Sequence, residues 1–338
     1  MSTIKALAAP TKGAPLEPFE FESPELGAEE VEIAVEYCGI CHSDLSMWRN
    51  DWGQTSFPFV PGHEVVGRVV AVGTAAKKHK VGDRVGLGWI SSSCMECEQC
   101  LSGNQNLCAK QEGTIVGRFG GFAQKTRAHW AWAIALPDEL DAAKFGPMFC
   151  GGITVFQPIV MSEVKPTDKV AVIGIGGLGH MALQFLHSWG CEVTAFTSSD
   201  SKIEEAKKLG AHLTVNSRDP EALKSVAGKF DFILSTVNVS LDWDAVLAAL
   251  APRGRLHLVG ATLEPIPLSA FSLIPGEKSI AANPTGPPQT TATMLEFCAR
   301  HAIAPITEEF PMSQANEALK HLEDGKARYR VVLKMDLA

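Results

Sequence analysis

The chain has 338 residues, with 30 Lys and Arg against 38 Asp and Glu, so its formal charge is −8, and 46% of its residues are hydrophobic. This length predicts two domains that can each bury a core without disulfides. The acidic balance argues against nucleic acid or an anionic membrane as a partner. The first 20 residues hold no apolar stretch typical of a signal peptide, so we expect a cytoplasmic protein.

The pattern of apolar residues changes along the chain. Short β-type runs separated by glycines predict a mostly β region at residues 31–35, 65–72 and 81–85. From residue 169 onward, strands alternate with helices. Strands are predicted at 170–173, 193–197, 213–216, 230–235, 255–259 and 278–281, and helices at 178–189, 201–209 and 242–250. This alternation predicts a parallel, doubly wound α/β sheet of six strands, followed by helices at 291–301 and 313–323 and a final strand at 329–335.

Cys94, Cys97, Cys100 and Cys108 form the pattern C-x2-C-x2-C-x7-C within fifteen residues. Four thiolates at this spacing can enclose one Zn²⁺ in a closed tetrahedral shell, which is a structural site. One alternative is four reduced core cysteines, but the residues between them are too polar for a core. The other is an iron–sulfur cluster, whose bacterial ferredoxin pattern matches the first three cysteines and not the fourth.

Residues 170–179 read Val-Ala-Val-Ile-Gly-Ile-Gly-Gly-Leu-Gly. A β-type run, then G-x-G-x-x-G, then a helical run predicts a dinucleotide-binding loop. One glycine would allow the tight turn, another the approach of a pyrophosphate and the last close helix packing, while the helix N-terminus offers N–H donors to the phosphates. We expect cofactor contacts from Gly174, Gly176, Gly177, Leu178 and Gly179.

The end of the second strand of this fold bears on the choice of cofactor. Thr197 stands where a carboxylate would hold the ribose diol of NAD. The hydroxyls of Thr197, Ser198 and Ser199, together with Lys202, can instead bind a 2′-phosphate, which predicts NADP(H). Two alternatives stay open. A shift in register would bring Asp200 to the ribose, and Ser199 or Asp200 could act as a helix N-cap.

Three further positions predict a second metal site. Residues 38–42, Cys-Gly-Ile-Cys-His, match the haem-attachment and redox patterns, but haem attachment does not suit a chain without an export signal. His63 opens a strand, and Cys150 precedes the dinucleotide fold. If Cys41, His63 and Cys150 meet in space, they form a zinc site with one open position, a ligand set known from alcohol dehydrogenases.

Together these motifs resemble the zinc-dependent medium-chain alcohol dehydrogenases, and most of all the branch of cinnamyl-alcohol dehydrogenases and bacterial broad-range aldehyde reductases. The resemblance runs from about residue 31 to the C-terminus. It rests on the cysteine quartet and on residues 38–45, 60–64, 81–85, 149–154, 174–180 and 328–330. It implies a mostly β, GroES-like catalytic domain (1–150 with 284–338), a Rossmann domain (151–283) and a homodimer.

The resemblance also implies residue roles. It assigns the catalytic zinc to Cys41, His63 and Cys150. Glu64 would be a transient or outer partner of the zinc, and Cys38 would not be a ligand. Ser43 matches the hydroxyl that passes the substrate proton toward the cofactor ribose, and His42 and Arg330 match positions near the pyrophosphate. The implied enzyme holds two zinc ions per chain and transfers a hydride between NADP(H) and a primary alcohol or aldehyde.

The chain departs from the family pattern in three places. The relay of many relatives ends in a histidine where this chain has Ser46, so Ser46 with water, Asp51 or His42 would carry the proton. The segment 108–121 is short, and residues 283–288 are rich in proline, which alters the surroundings of the substrate and the nicotinamide.

Six apolar residues fall at or beside family pocket positions: Trp48, Trp52, Phe57, Trp89, Ile90 and Met148. They predict a narrow, aromatic-walled site for aromatic or small aliphatic aldehydes, with ordinary core aromatics as the alternative.

Other functions fit the sequence less well. An NAD-dependent polyol or amino-alcohol dehydrogenase would favour an acidic residue at the position of Thr197. A zinc-ribbon module built on the quartet would have the wrong charge for phosphate, because residues 94–108 include Glu96 and Glu98 and no Lys or Arg. The predicted ligand set of the second metal site argues against a zinc-free quinone or enoyl reductase.

Overall fold

The computed structural model describes residues 3–198 and 202–338. Ser199 and Asp200, which the sequence analysis considered for cofactor binding, lie outside the described residues. The chain divides into two compact units, a first unit of Met1–Ile153 with Thr285–Ala338 and a second unit of Thr154–Pro284. Within the described ranges, no helix is both long enough and apolar enough to cross a bilayer.

The strands of the described residues are β1 Thr3–Ala8, β2 Glu17–Glu22, β3 Glu30–Ile40, β4 Glu64–Val72, β5 Arg84–Leu87, β6 Ile90–Ser92, β7 Glu112–Gly113, β8 Lys125–His129, β9 Ile134–Ala135, β10 Lys169–Ile173, β11 Glu192–Thr197, β12 Leu213–Asn216, β13 Phe230–Ser235, β14 Leu250–Leu258, β15 Ser279–Ala282, β16 Thr307–Pro311 and β17 Arg330–Lys334. The α-helices are α1 His42–Trp48, α2 Glu98–Leu101, α3 Ala142–Phe145, α4 Gly151–Met161, α5 Gly179–Trp189, α6 Ile203–Lys208, α7 Pro220–Ser225, α8 Trp243–Ala249, α9 Pro288–His301 and α10 Ala315–Glu323.

The first unit is built on a seven-stranded sheet in the order β16-β17-β3-β4-β5-β9, with β8 also paired to β3. Strand β3 lies at its centre, and its Val31 and Ile33 are fully buried, each contributing about 2 kcal/mol through removal of apolar surface from water. The C-terminal strand β17 pairs antiparallel with β3, with Val331 opposite Ile40. This pairing brings the end of the chain back beside the start of α1.

The second unit confirms the predicted α/β fold. Its six strands are parallel in the order β12-β11-β10-β13-β14-β15, which is the order of the dinucleotide-binding doubly wound fold. The strand order reverses at β10 and β13, and ligands of such sheets bind outside the carboxyl ends of the strands at that point. The glycine loop that follows β10 begins there.

Some element bounds differ from the predictions for local reasons. Strand β5 begins at Arg84 rather than at residue 81, because Gly82 has a φ of 98° and the Asp83 carboxylate accepts the Lys80 N–H in a turn. Strand β2 was not predicted, although its sequence EPFEFE alternates exposed glutamates with half-buried phenylalanines. That alternation is the period-two signal of a strand.

Candidate metal centres and active site

The four quartet cysteines lie in a lobe between β6 and β7, which we call the cysteine lobe (residues 93–111). Their sulfur atoms all lie within 4.8 Å of one another. The Sγ–Sγ distances are 3.5 Å for Cys94–Cys108, 3.9 Å for Cys97–Cys108 and 4.0 Å for Cys94–Cys100. Four ligands at 2.3 Å from a tetrahedral Zn²⁺ would be about 3.8 Å apart. The donors therefore fit a closed zinc site. Within the described residues, all nine cysteines are free of disulfides.

Backbone groups of the cysteine lobe stabilise the ionised thiols. The N–H groups of Glu96 and Cys97 are directed at Cys94 and lower its pKa to about 6. The Lys110 N–H donates to Cys108 Sγ at 3.3 Å. Burial acts the other way on Cys100 and raises its pKa to about 11. Since a thiolate is the metal-binding form, the backbone arrangement favours metal binding at one edge of the quartet.

The second group of metal-binding side chains comes from distant parts of the first unit. Ligand atoms of Cys41, His63, Glu64 and Cys150 all lie within 4.8 Å of one another, and His63 Nε2 is 3.2 Å from Cys150 Sγ. Cys41 immediately precedes α1, His63 precedes β4, and Cys150 lies between a 3₁₀ turn and α4. We call this group the open cluster, because its two sulfurs and one imidazole nitrogen leave a fourth position that Glu64 or an external ligand could take.

Asp44 organises the open cluster from behind. This carboxylate is fully buried and accepts hydrogen bonds from the Cys41 N–H at 2.9 Å, the Gly62 N–H at 2.9 Å and His63 Nδ1 at 3.0 Å. The last bond places the ring proton on Nδ1 and leaves the lone pair of Nε2 for a metal. Asp44 was not among the predicted residues, because its place one helical turn after Cys41 is also that of an ordinary helix-capping carboxylate.

The buried side chains of the open cluster shift one another's pKa values. The hydrogen bond from Cys150 holds the pKa of Cys41 well below its usual range despite burial, with further help from Arg330 and His63. The same bond, together with burial, raises the pKa of Cys150 well above its usual range. Burial alone would lower the pKa of His63, but the charge and hydrogen bond of Asp44 outweigh it and raise that pKa. Without a metal, the two sulfurs share one proton in their hydrogen bond. A divalent cation would replace that proton and bind both sulfurs as thiolates.

Glu64 and Arg330 form a buried ion pair beside the open cluster. Burial raises the pKa of Glu64 to about 7, although the Arg330 charge opposes this shift. Burial would lower the pKa of Arg330, but the charge of Glu64 and then those of the two thiols outweigh it and raise that pKa. Among the described residues, Glu64 Oε2 and Arg330 Nε have no hydrogen-bond partner, so each side chain keeps one polar atom for a further ligand.

Helix α1 carries the residues predicted for proton transfer. Ser43 Oγ lies 3.7 Å from Cys41 Sγ, and both Ser43 and Ser46 are half-buried. Residues three apart lie on the same face of a helix, so Ser46 follows Ser43 away from the open cluster. His42, predicted to lie near the pyrophosphate, is exposed at the start of the same helix.

The predicted pocket residues fall into two groups. The Trp89 ring meets the His63 ring edge-on at a centroid distance of 5.0 Å and the Trp52 ring at 5.9 Å. Trp89 and Ile90 line a cavity whose other walls include Phe149, Thr285 and Gly286. The remaining three have other contacts: Trp48 Nε1 donates to the Ala14 carbonyl at 2.6 Å, Phe57 lies edge-on to Phe59, and Met148 is fully buried.

The glycine loop in the second unit has the shape that a pyrophosphate requires. Gly174 adopts a φ of 90°, and a Cβ on Gly179 would collide with the Gly174 carbonyl. At Gly176, by contrast, a Cβ would meet no described atom within 4 Å, so the backbone there is open to a ligand. Helix α5 begins at Gly179, one residue after the predicted start at Leu178, and its N-terminus provides the dipole and N–H groups for an anion.

The predicted ribose-phosphate residues lie beyond β11. Thr197 is the last residue of β11 and is buried, Ser198 is exposed, and Lys202 immediately precedes α6.

Comparison with known proteins agrees with this geometry. The family described as "Alcohol dehydrogenase GroES-like domain" matches residues 27–138, and "Zinc-binding dehydrogenase" matches residues 177–300. The chain is 57% identical to an aldehyde reductase of a Synechocystis species over 330 residues, 98% of either chain. Among solved structures it is similar to a cinnamyl alcohol dehydrogenase from Sorghum bicolor, with a TM-score of 0.93, 35% identity and 98% coverage of both chains. It is also similar to a Helicobacter pylori CAD solved in complex with NADP(H), with a TM-score of 0.90, 30% identity and 98% coverage of both.

These matches confirm the predicted fold and the predicted class of reaction, the interconversion of alcohols and aldehydes with zinc and a nicotinamide cofactor. The chain belongs to the zinc-dependent medium-chain alcohol dehydrogenases.

Proposed function

We propose that this chain is an NADP(H)-preferring aldehyde reductase and primary-alcohol dehydrogenase that holds two zinc ions, a catalytic one in the open cluster and a structural one in the cysteine lobe. The observation that carries the proposal is the convergence of Cys41, His63 and Cys150 within 4.8 Å, next to an aromatic wall. We assign the zinc chemistry to the first unit and nucleotide binding to the second.

The residues of the open cluster have separate tasks in this reaction. When bound, the zinc ion supplies Lewis-acid polarisation of the carbonyl oxygen, and the nicotinamide supplies or accepts the hydride. Cys41, His63 and Cys150 would hold the ion, while Asp44 keeps His63 in the tautomer that can bind it. Glu64 would act as an outer partner of the ion, restrained by its ion pair with Arg330.

Ser43 is the proposed proton carrier. Its hydroxyl lies 3.7 Å from Cys41 Sγ, so it borders the position where the substrate oxygen would bind. A hydroxyl can accept one proton while donating another, and Ser46 one turn along α1 would continue the path with water. Trp89 and Trp52 would orient a planar aldehyde and exclude water from the reacting carbon.

The preference for NADP(H) is proposed from the residues after β11. Thr197 provides no carboxylate to repel a 2′-phosphate, and Lys202 provides a positive charge at the start of α6. That the similar Helicobacter pylori protein was solved with NADP(H) supports the same choice for this chain. His42 is exposed and Arg330 Nε has no hydrogen-bond partner among the described residues, which supports the proposal that each can bind an anion such as a phosphate.

The cofactor proposal is tested by measuring kcat/KM for NADPH and NADH with one aldehyde. We expect NADPH to be favoured by at least about tenfold, because a charged hydrogen bond to the phosphate is lost with NADH. Lys202→Ala should reduce kcat/KM for NADPH and leave that for NADH unchanged. Lys207→Ala, which removes a lysine of α6 that pairs with Glu204, is the control. A preference for NADH in the wild type would refute the proposal.

The proposed homodimer is supported by the edge of the second unit's sheet. Strand β15 is the last strand of that sheet, and Phe271 and Ile274, shortly before it, are 82% and 66% exposed. An edge strand beside exposed apolar side chains can be covered by a second copy of the chain. Sedimentation analysis should give twice the chain mass, and a monomer at micromolar concentration would contradict this part of the proposal. The cytoplasmic location stays a prediction.

A further inference from the structure

The cysteine lobe begins and ends beside Trp89, which is proposed to orient the aldehyde, and beside a small cavity that Trp89 lines. It is inserted between β6 and β7, which pair with Ile90 opposite Gly113. Ile90, the first residue of β6, and Trp89 just before it line the cavity. The two stems of the lobe are therefore also the support of one cavity wall.

One residue within the cysteine lobe reaches a second wall of the same cavity. Asn106 lies two residues before Cys108 and is only 5% exposed. Its Nδ2 donates to the carbonyl oxygen of Thr285 at 3.2 Å, across 179 residues of sequence. Thr285 and Gly286 also line this cavity, so the lobe is bonded to the wall that the C-terminal part of the first unit contributes.

Thr114, immediately after β7, is hydrogen-bonded to the Gly88–Trp89 backbone. Its side chain is buried, and its Oγ1 donates to the Gly88 carbonyl at 2.6 Å. Its backbone N–H donates to the Trp89 carbonyl at 2.7 Å. The backbone that carries the Trp89 ring is thus held by two hydrogen bonds from one residue.

We infer that the cysteine lobe is a positioning device for the Trp89 wall of the aldehyde site, with Asn106 and Thr114 as positioning residues that fix the Thr285 and Trp89 walls relative to each other. This inference rests on the proposed function, because it takes Trp89, whose ring contacts His63, as a wall of the aldehyde site. Four thiolates bound to one zinc ion would make the cysteine lobe rigid. Walls that are hydrogen-bonded to that loop keep their separation.

The kinetic consequence follows from where the two metal clusters lie. The Trp89 ring contacts His63, but the lobe itself contributes no residue to the open cluster, so a loosened Thr285 wall leaves the metal ligands in place. It weakens contacts with the body of a planar aldehyde, which raises KM, whereas kcat stays nearly the same. A small aldehyde touches less of the walls and depends less on them.

The test compares Asn106→Asp with Asn104→Asp in the full-length, zinc-loaded enzyme. The first change keeps the side-chain shape but removes the N–H donor to Thr285. The second makes the same chemical change two residues earlier, at an exposed side chain that contacts Ser102. For Asn106→Asp we expect KM for benzaldehyde to rise at least about fivefold, because the change removes one buried hydrogen bond and turns a carboxylate oxygen toward the Thr285 carbonyl oxygen. We expect a smaller rise for acetaldehyde, a kcat within twofold of wild type and an unchanged zinc content.

Two further measurements separate positioning from simple support of the lobe. Amide hydrogen exchange over residues 285–301 should be faster in Asn106→Asp than in Asn104→Asp, while exchange over residues 94–108 stays equal. Thr114→Val, which removes the hydroxyl and keeps the volume, should raise KM for benzaldehyde in the same way. Unchanged KM and exchange in Asn106→Asp, or loss of zinc in proportion to activity, would overturn the inference. If the wild type reduced no aldehyde, the proposed function would fail, and the exchange measurement would still decide the role of Asn106.

Discussion

The two candidate zinc sites are built in opposite ways. The cysteine lobe takes all four donors from fifteen consecutive residues, whereas His63 and Cys150 of the open cluster are 87 residues apart in sequence. In the lobe, backbone N–H groups stabilise the sulfur charges. In the open cluster, a hydrogen bond from Cys150 and the charges of Arg330 and His63 do so for Cys41, and Asp44 stabilises the charge of His63. A closed site can thus be formed locally, but an open one needs the tertiary structure to hold its donors around a free position.

The largest effect should come from removing a donor of the open cluster. Cys41→Ala should reduce the zinc content from two ions to one per chain and lower kcat at least about 10³-fold, because the carbonyl oxygen loses its Lewis acid. Metal analysis by mass spectrometry and steady-state kinetics measure the two effects.

Cys38→Ala is the matched control for that change. Cys38 is three residues earlier, equally buried, and not among the clustered ligand atoms, so this variant should keep both zinc ions and lose only stability. One zinc ion lost from Cys38→Ala, or two retained in Cys41→Ala, would show that the open cluster has been assigned the wrong cysteine.

The next effect concerns the helix that leads away from the open cluster. Ser43→Ala should lower kcat about 10²-fold, since it removes the proton carrier beside Cys41. Ser46→Ala, one turn further on, should change kcat less than about threefold because water can replace its hydroxyl. Both zinc ions should remain in both variants. Small and equal effects would mean that the proton leaves by another path, such as His42 or Asp51.

The ligands of the cysteine lobe could be predicted from sequence spacing, whereas those of the open cluster could not, and the reason is physical. Spacing alone indicated the cysteine lobe, because ligands that close one loop must be near in sequence. Spacing could not bring Cys41 and Cys150 together, and family resemblance was needed for that set. Arg330 and Glu64, 266 residues apart, pair only because β17 lies against β3 and β3 against β4.

The supporting residues were harder to predict than the metal donors. Asp44 has the sequence position of an ordinary helix-capping carboxylate, and only burial distinguishes it from one. Asn106 has the sequence position of a loop asparagine, and its partner is a backbone carbonyl that carries no sequence signal. Strands and helices follow from periodicity, whereas these contacts follow from packing between distant segments.

A third effect tests whether the open cluster depends on its buried carboxylate. Asp44→Asn should weaken zinc binding in the open cluster by about 10- to 100-fold, because the amide no longer fixes the His63 tautomer by charge. Zinc in the cysteine lobe should not be affected. Titration with a competing chelator resolves the two ions, and Asp51→Asn, an exposed change just after α1, is the control. Equal weakening of both ions would indicate general unfolding instead.

The smallest effect on turnover should come from the cysteine lobe. Cys97→Ser should remove or weaken the structural zinc and lower Tm by about 5 °C or more. Turnover per open-cluster zinc should stay within about threefold, since no lobe residue belongs to the open cluster. Glu98→Gln, an adjacent exposed change without a ligand atom in the quartet, should leave zinc and Tm unchanged. If kcat in Cys97→Ser instead fell as far as in Cys41→Ala, the two sites would be one cooperative unit, and the contrast between a local and a tertiary metal site would not hold for this enzyme.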